Sequence, residues 1–417
     1  MKRSPLLIIF ITVFIDLLGF GIVMPLLPRY GEHFGMGKVS LGLLMASFSA
    51  MQFVFSPLWG RVSDRIGRRP VLLLGLAGSA LFYGLFGFAT SLGNEGVWLG
   101  LSAVPWLFIT RIGAGIAGAT ISTAQAYIAD STTAEGRGKG MALIGAAFGI
   151  GFTFGPLVGA LCVSSDLNGP PSALAGYVAS GMSACAFLFA LARLPESLTP
   201  GVTSTVRRQM NFGAIARAFS RAGIGLLLAT IFLTTFAFAQ FEVTLSLFTK
   251  HLGLADKYMF FVYAYVGFIL ALSQGFLVRR LAPKLGEFKM SLIGTILMTI
   301  GLVLIAVVSK EKSLGMLYSI LPICVVGYSA LTPSLQALLS LRCGADEQGE
   351  MLGVGQSMSA LARILGPVVG VTLFKLGQEQ PELGVALPYW MGAGLMLVGV
   401  GMVVALRFEQ AKTTVKP

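Results

Sequence analysis

Gly60-Arg61-Val62-Ser63-Asp64-Arg65-Ile66-Gly67-Arg68-Arg69-Pro70 is the stretch on which the reading of this chain turns. It sets one acid among arginines and glycines, in a short gap between two long apolar runs, 39–60 and 70–91. A tight turn with positive charge would account for the arginines and glycines. It would not account for the lone Asp64, nor for a partial copy further on, where Arg280-Leu281-Ala282-Pro283-Lys284-Leu285-Gly286 follows the same pattern.

Working outward, the runs on either side are two of many. Hydrophobic residues make up 55% of the 417 and charged residues only 12%, against about 25% charged in a soluble domain. So little charge cannot cover a water-facing surface, so lipid must cover much of this chain. A membrane helix needs about 20 mostly apolar residues. Such runs lie near 5–28, 39–60, 70–91, 104–130, 140–162, 172–193, 223–249, 257–278, 289–309, 314–341, 350–374 and 387–406. Met1-Lys2-Arg3 before the first run resembles a secretory leader, but that run is too long for one and holds Asp16, so it reads as a retained first span. The fold class expected is an all-α membrane protein of twelve transmembrane helices in two six-helix bundles. The bundles would be residues 1–193 and 223–417, joined by a polar linker at 194–222.

Most of the 30 lysines and arginines fall at the N-terminus, in loops after even-numbered spans and at the C-terminus; Arg61, Arg137, Lys139, Lys284 and Arg342 are among them. Cytoplasmic loops collect such residues, so both termini are expected in the cytoplasm of a multi-pass cell (inner) membrane protein. An internal repeat supports the division. Gly138 precedes Gly155-Pro156 and Gly159 by the same spacing with which Gly349 precedes Gly366-Pro367 and Gly370. Parallel six-span repeats are a transporter architecture whose substrate site lies between the halves.

Other functions are excluded on chemistry. The net charge of +12 is spread over short loops rather than gathered on one basic face, so no nucleic-acid partner is expected. Cys162, Cys185, Cys324 and Cys343 lack metal or disulfide spacing, and His33 and His251 form no metal-binding pattern, so no metal and no cofactor are expected. With no base placed to activate a nucleophile, the chain is not read as an enzyme. No phosphate-cradling G-x-x-x-x-G-K-[ST] segment points to ATP, and no ring of charge points to a channel.

Charges inside spans carry the mechanism, because each costs at least about 2.5–3.5 kcal/mol at the bilayer centre and so faces a cavity or a partner. They are Asp16, Arg111, Glu242 and Arg363. At 1.5 Å per residue, Asp16 lies about 16 Å into the first span. Asp16 or Glu242 is expected to carry a coupling proton, with Arg111 tuning it. A permanent ion pair remains open for Asp16, and substrate binding for Glu242. Arg363 reads as structural or pocket-lining. Phe236, Phe238, Gln240, Tyr263, Tyr265, Tyr328 and Gln356 are candidates to line a substrate pocket with these charges, although lipid is the common fate of phenylalanine. Gly151, Gly155 and Gly159 recur every four residues on one helix face and allow close packing, while Pro156 weakens that helix locally.

The loop at Gly60–Pro70 closely resembles the signature G-x-x-x-D-R-x-G-R-R/K of the major facilitator superfamily. Further agreement comes from Arg111-Ile112-Gly113-Ala114-Gly115-Ile116-Ala117-Gly118-Ala119, from Gly151-Phe152-Thr153-Phe154-Gly155-Pro156-Leu157-Val158-Gly159, and from Asp16, Gly19, Gly21, Pro25 and Pro28. These are similar to motifs of its twelve-span drug:proton antiporters, near the tetracycline-efflux-like members. The resemblance implies a monomeric transporter that exports small amphipathic compounds against protons by alternating access; uptake of a small metabolite with protons on the same fold stays open. It implies a conformational lock of Gly60, Asp64, Arg65, Gly67, Arg68 and Arg69, with Asp64 facing Gly349 and Glu350 and Arg68 reaching Asp130. It also implies a hinge at Gly151, Gly155, Pro156 and Gly159. Metal-tetracycline exporters carry an acid in the third span, whereas Ser79-Ala80-Leu81-Phe82-Tyr83 has none, so tetracycline itself does not follow. Pro195-Glu196-Ser197-Leu198-Thr199 departs from the P-E-S-P-R of sugar carriers and argues against sugar uptake.

Overall fold

The computed structural model describes residues 5–132, 137–166, 169–198, 219–311, 313–342, 348–380 and 384–414. Among them, twelve helices follow the apolar runs. They are α1 (Pro5–His33), α2 (Lys38–Ile66), α3 (Arg68–Ser91), α4 (Ala103–Gly118, resumed at Ile121–Asp130), α5 (Arg137–Gly159) and α6 (Ala173–Arg193). There follow α7 (Ala222–His251), α8 (Asp256–Leu272, then a π-turn Ser273–Val278 and Arg279–Leu285), α9 (Glu287–Glu311), α10 (Leu314–Leu341), α11 (Gln348–Glu379) and α12 (Leu387–Thr414). By length and apolarity eleven described helices can cross a membrane, and the described apolar part of α5, Ala147–Gly159, is shorter. The first helix outruns its expected end at 28, passing through a 3-10 turn at Met24–Leu26 and on to His33. Pro25 and Pro28 sit near the starts of these short turns, where a missing N–H costs little.

The chain gathers into two compact units. One holds Met1–Met210 with Thr249–Phe268, and the other Asn211–Phe248 with Ile269–Pro417. In the first, Ile9, Leu72, Leu76, Ala124, Tyr127, Ile128 and Ala186 form a buried cluster from α1, α3, α4 and α6. Leu74 and Leu81 of α3 and Leu188 and Leu191 of α6 point outward and stay exposed. On a membrane helix, that outward face meets lipid, which is as apolar as leucine; packing between helices therefore depends on close approach rather than on a hydrophobic drive.

Glycine supplies that approach. A Cβ at Gly155 of α5 would come within 2.9 Å of the Gly21 Cα of α1, and one at Gly21 within 3.0 Å of the Gly151 carbonyl oxygen. The second unit repeats the arrangement, for a Cβ at Gly366 of α11 would lie 2.9 Å from the Phe236 carbonyl oxygen of α7. Pro156 and Pro367 each follow such a glycine inside a helix. Gly67 and Gly286, which close the two copies of the arginine-rich loop, both have positive φ, 104° and 78°, a conformation that glycine adopts without penalty.

Candidate functional site

The signature loop is tied together by Arg68. Its guanidinium donates to the Asp64 carboxylate, to Asp130 Oδ2 at 3.0 Å and to Ser63 Oγ at 2.7 Å. Asp64 lies in the last turn of α2, Arg68 opens α3 across the Gly67 turn and Asp130 ends α4, so the three helices meet at one cation that is only 7% exposed. Arg61 and Arg65 are exposed, while Gly67 is buried. The Glu350 side chain lies outside the described residues.

A group that sequence reasoning passed over completes this knot. The Glu196 carboxylate, just past α6, accepts the backbone N–H of Arg68 at 2.8 Å and of Arg69 at 3.1 Å, as well as those of Ser197 and Leu198. It therefore caps the first turn of α3, where unpaired donors and the helix dipole favour an anion. Burial raises its proton affinity, but the four backbone donors outweigh that and hold the carboxyl below its ordinary range. The adjacent Ser197 hydroxyl donates to Asp130 Oδ2 at 3.3 Å. A sequence signal existed in Pro195-Glu196-Ser197, an acid just beyond a span, but nothing in the chain order pointed it at α3.

The charges inside the spans come next. Asp16 lies midway along α1, and its Oδ1 accepts the Ser183 hydroxyl of α6 at 2.9 Å. Tyr83 of α3 lies within electrostatic reach of both Asp16 and Arg111. Ser79, which also bonds Asp16, and Tyr83 thus stand beside it on α3, where the metal-tetracycline pattern has a third-span acid. Arg111 is 2% exposed and its guanidinium carbon stands 4.4 Å from the centre of the Phe48 ring. Among the described residues, its buried Nε and Nη1 have no hydrogen-bond partner, and no carboxylate lies in ion-pairing range of it. Asp16 and Arg111 share a unit without forming the salt bridge that two opposite charges in one bundle suggest.

In the second unit, Glu242 and Tyr328 lie within electrostatic reach of Arg363. Tyr328 stacks on Phe238 with ring centres 3.6 Å apart and planes 7° from parallel. Phe236 is buried against Phe232. Gln240 is buried and donates to the Pro388 carbonyl, which ties it to α12. Gln356 and Arg363 are exposed; Tyr265, which belongs to the first unit, is half-buried.

At the end of the first unit away from the signature loop, Arg29 of α1 donates to Asp256 Oδ1 at 2.7 Å and to Thr249 Oγ1 at 3.0 Å. Beside it, Lys250 Nζ lies 3.1 Å from Glu32 Oε2. In the sequence these were only loop charges. Their pairing depends on the ends of α1, α7 and α8 coming together.

The sequence profile of the Major Facilitator Superfamily matches residues 9–367. Over 415 residues the chain is 32% identical to the tetracycline resistance protein, class E, of Escherichia coli, covering 98% of this chain and 95% of that protein. It is 28% identical over 408 residues to multidrug resistance protein 2 of Bacillus subtilis, covering 96% and 94%. Among solved structures it resembles the human organic anion transporter MFSD10 (TETRAN), with a TM-score of 0.67 at 25% identity over 96% of this chain and 99% of that one.

Proposed function

The chain belongs to the Major Facilitator Superfamily, and from that premise we propose that it exports small amphipathic, drug-like compounds in exchange for protons. It is a multi-pass membrane transporter of small molecules and not an enzyme. On this proposal it lies in the cell (inner) membrane as a monomer with both termini in the cytoplasm, the signature loop inside and the Arg29–Asp256 end outside. The bias of lysine and arginine toward one set of loops supports that orientation, and the resistance proteins among its relatives support export.

The observation that carries the proposal is Asp16. It is an acid midway along a membrane helix, held by a serine hydroxyl in a unit whose buried Arg111 pairs with no described carboxylate. An acid so placed has no lipid-compatible role other than facing a partner or a pathway, and exchanging a proton as the pathway changes sides is one that a transporter uses. Glu242, within reach of Arg363, is the second candidate carrier. Around this centre, the Arg68–Asp64–Asp130 knot acts as part of an inner lock. The glycine contact of α1 with α5 acts as a hinge, and residues 194–222 link two six-span halves.

The test is transport in inverted vesicles under an imposed pH gradient, with Asp16→Asn and Glu242→Gln side by side. Proton-driven accumulation of an amphipathic dye should be lost in Asp16→Asn while the protein remains folded in the membrane. Wild-type coupling in both variants would end the assignment.

A further inference from the structure

The geometry points to Arg111 as the receptor for an anionic group on the transported compound, which makes amphipathic organic anions a substrate class of this protein; the inference rests on the export reading above. Arginine stays charged under all working conditions and offers five donors in a planar fork that matches carboxylates and sulfonates. Here that fork is 2% exposed, with Nε and Nη1 lacking an acceptor among the described residues. A buried cation left unpaired is costly, so a fold that keeps one holds it for an incoming partner. The acid inside a span of the same unit does not fill the role, because Asp16 is bonded to Ser183 and makes no ion pair with Arg111 among the described residues.

What surrounds the fork describes the rest of the ligand. Phe48 covers the guanidinium at 4.4 Å. Phe20 packs on Phe48 with ring centres 5.0 Å apart, and Phe152 meets Phe20 edge-on at 5.8 Å. Phe20 and Phe152 are half-buried, so this aromatic wall continues from the charge toward an accessible surface. A flat apolar body lies along such rings while its anion reaches the fork. Phosphate alone would leave the rings unused, and a cation would meet Arg111 as a like charge.

Binding to the full-length protein in lipid nanodiscs tests this with two dyes of one skeleton, 8-anilinonaphthalene-1-sulfonate and uncharged N-phenyl-1-naphthylamine, with empty nanodiscs subtracted. The wild type should prefer the sulfonate, and Arg111→Gln should lower the ratio of the two affinities about tenfold, the loss of one charge-assisted contact. Arg111→Lys should keep part of the preference. Without any variant, 1-naphthalenesulfonate should displace the bound sulfonate dye from wild type where naphthalene-1-sulfonamide does not. Equal affinity of the wild type for the two dyes, an unchanged ratio in Arg111→Gln, or equal displacement by the two competitors would overturn the proposal. Either set of binding results stands apart from the export reading. Intact sulfonate preference without proton-driven transport sinks only the latter, and driven transport without the preference sinks only the former.

Discussion

Arg29, near the end of α1, sits 2.7 Å from the carboxylate of Asp256, in the first turn of α8. The two are 227 residues apart in the chain, and a neighbouring pair, Glu32 with Lys250, runs with the opposite polarity. α1 therefore contributes one cation and one anion to the junction, and the segment Thr249–Asp256 contributes their complements. A shift of one helical turn would bring like charges together, so the pairs select one register. An anion in the first turn of α8 is also favoured by the helix dipole.

Breaking the junction should cost more than a surface ion pair does, because Arg29 is 4% exposed and its bond to Asp256 is a charge-assisted contact made away from water. Asp256→Asn or Arg29→Gln should each destabilise the folded protein by about 1–3 kcal/mol. The exchanged pair, Arg29→Asp with Asp256→Arg, should recover part of the loss. Thermal unfolding of these proteins and of the double variant Arg29→Gln/Asp256→Asn in one detergent measures this, and strictly additive effects of those two single changes would show that the residues do not interact.

Glu196 makes a prediction about pH. Its carboxyl is held below the ordinary range in the folded protein, so the stability it contributes is complete above its unfolded value and is lost as pH falls through its folded one. Wild type should exceed Glu196→Gln in thermal midpoint at pH 7, and the gap should narrow below about pH 4. A gap that is constant with pH would assign the effect to shape rather than to charge.

The α1–α5 contact predicts a contrast between two glycines. Gly155 leaves no room, since a Cβ would meet the Gly21 backbone at 2.9 Å, whereas Gly181 on α6 faces open space. Gly155→Leu should cost about 1–3 kcal/mol or abolish folding through overpacking, and Gly181→Leu should be tolerated. Expression and monodispersity of the two variants decide it.

Much of this was readable in the chain, and the reasons are local. Apolar runs of about 20 residues mark each helix, because a bilayer leaves a spanning segment no other way to pair its backbone. The Gly60–Pro70 loop and its copy at Arg280–Gly286 were legible because an arginine-rich turn ending in glycine needs only neighbouring residues to form. Asp16 and Arg111 stood out by their cost in lipid. That Arg68 reaches Asp130 was implied by resemblance, and the 3.0 Å bond places the two together.

The partners of those residues were another matter. Nothing in Pro195-Glu196-Ser197 says that its acid caps α3, and nothing in Arg29 says that it meets Asp256. Hydropathy and motif spacing are properties of short segments, so the order of residues by itself determines the helices, their number and the charges they carry into the membrane. Which carboxylate each arginine meets depends on how the helices lean together. Only the tertiary structure decides that Arg68 and Arg29 find their acids while Arg111 meets a phenylalanine ring and, among the described residues, no acid.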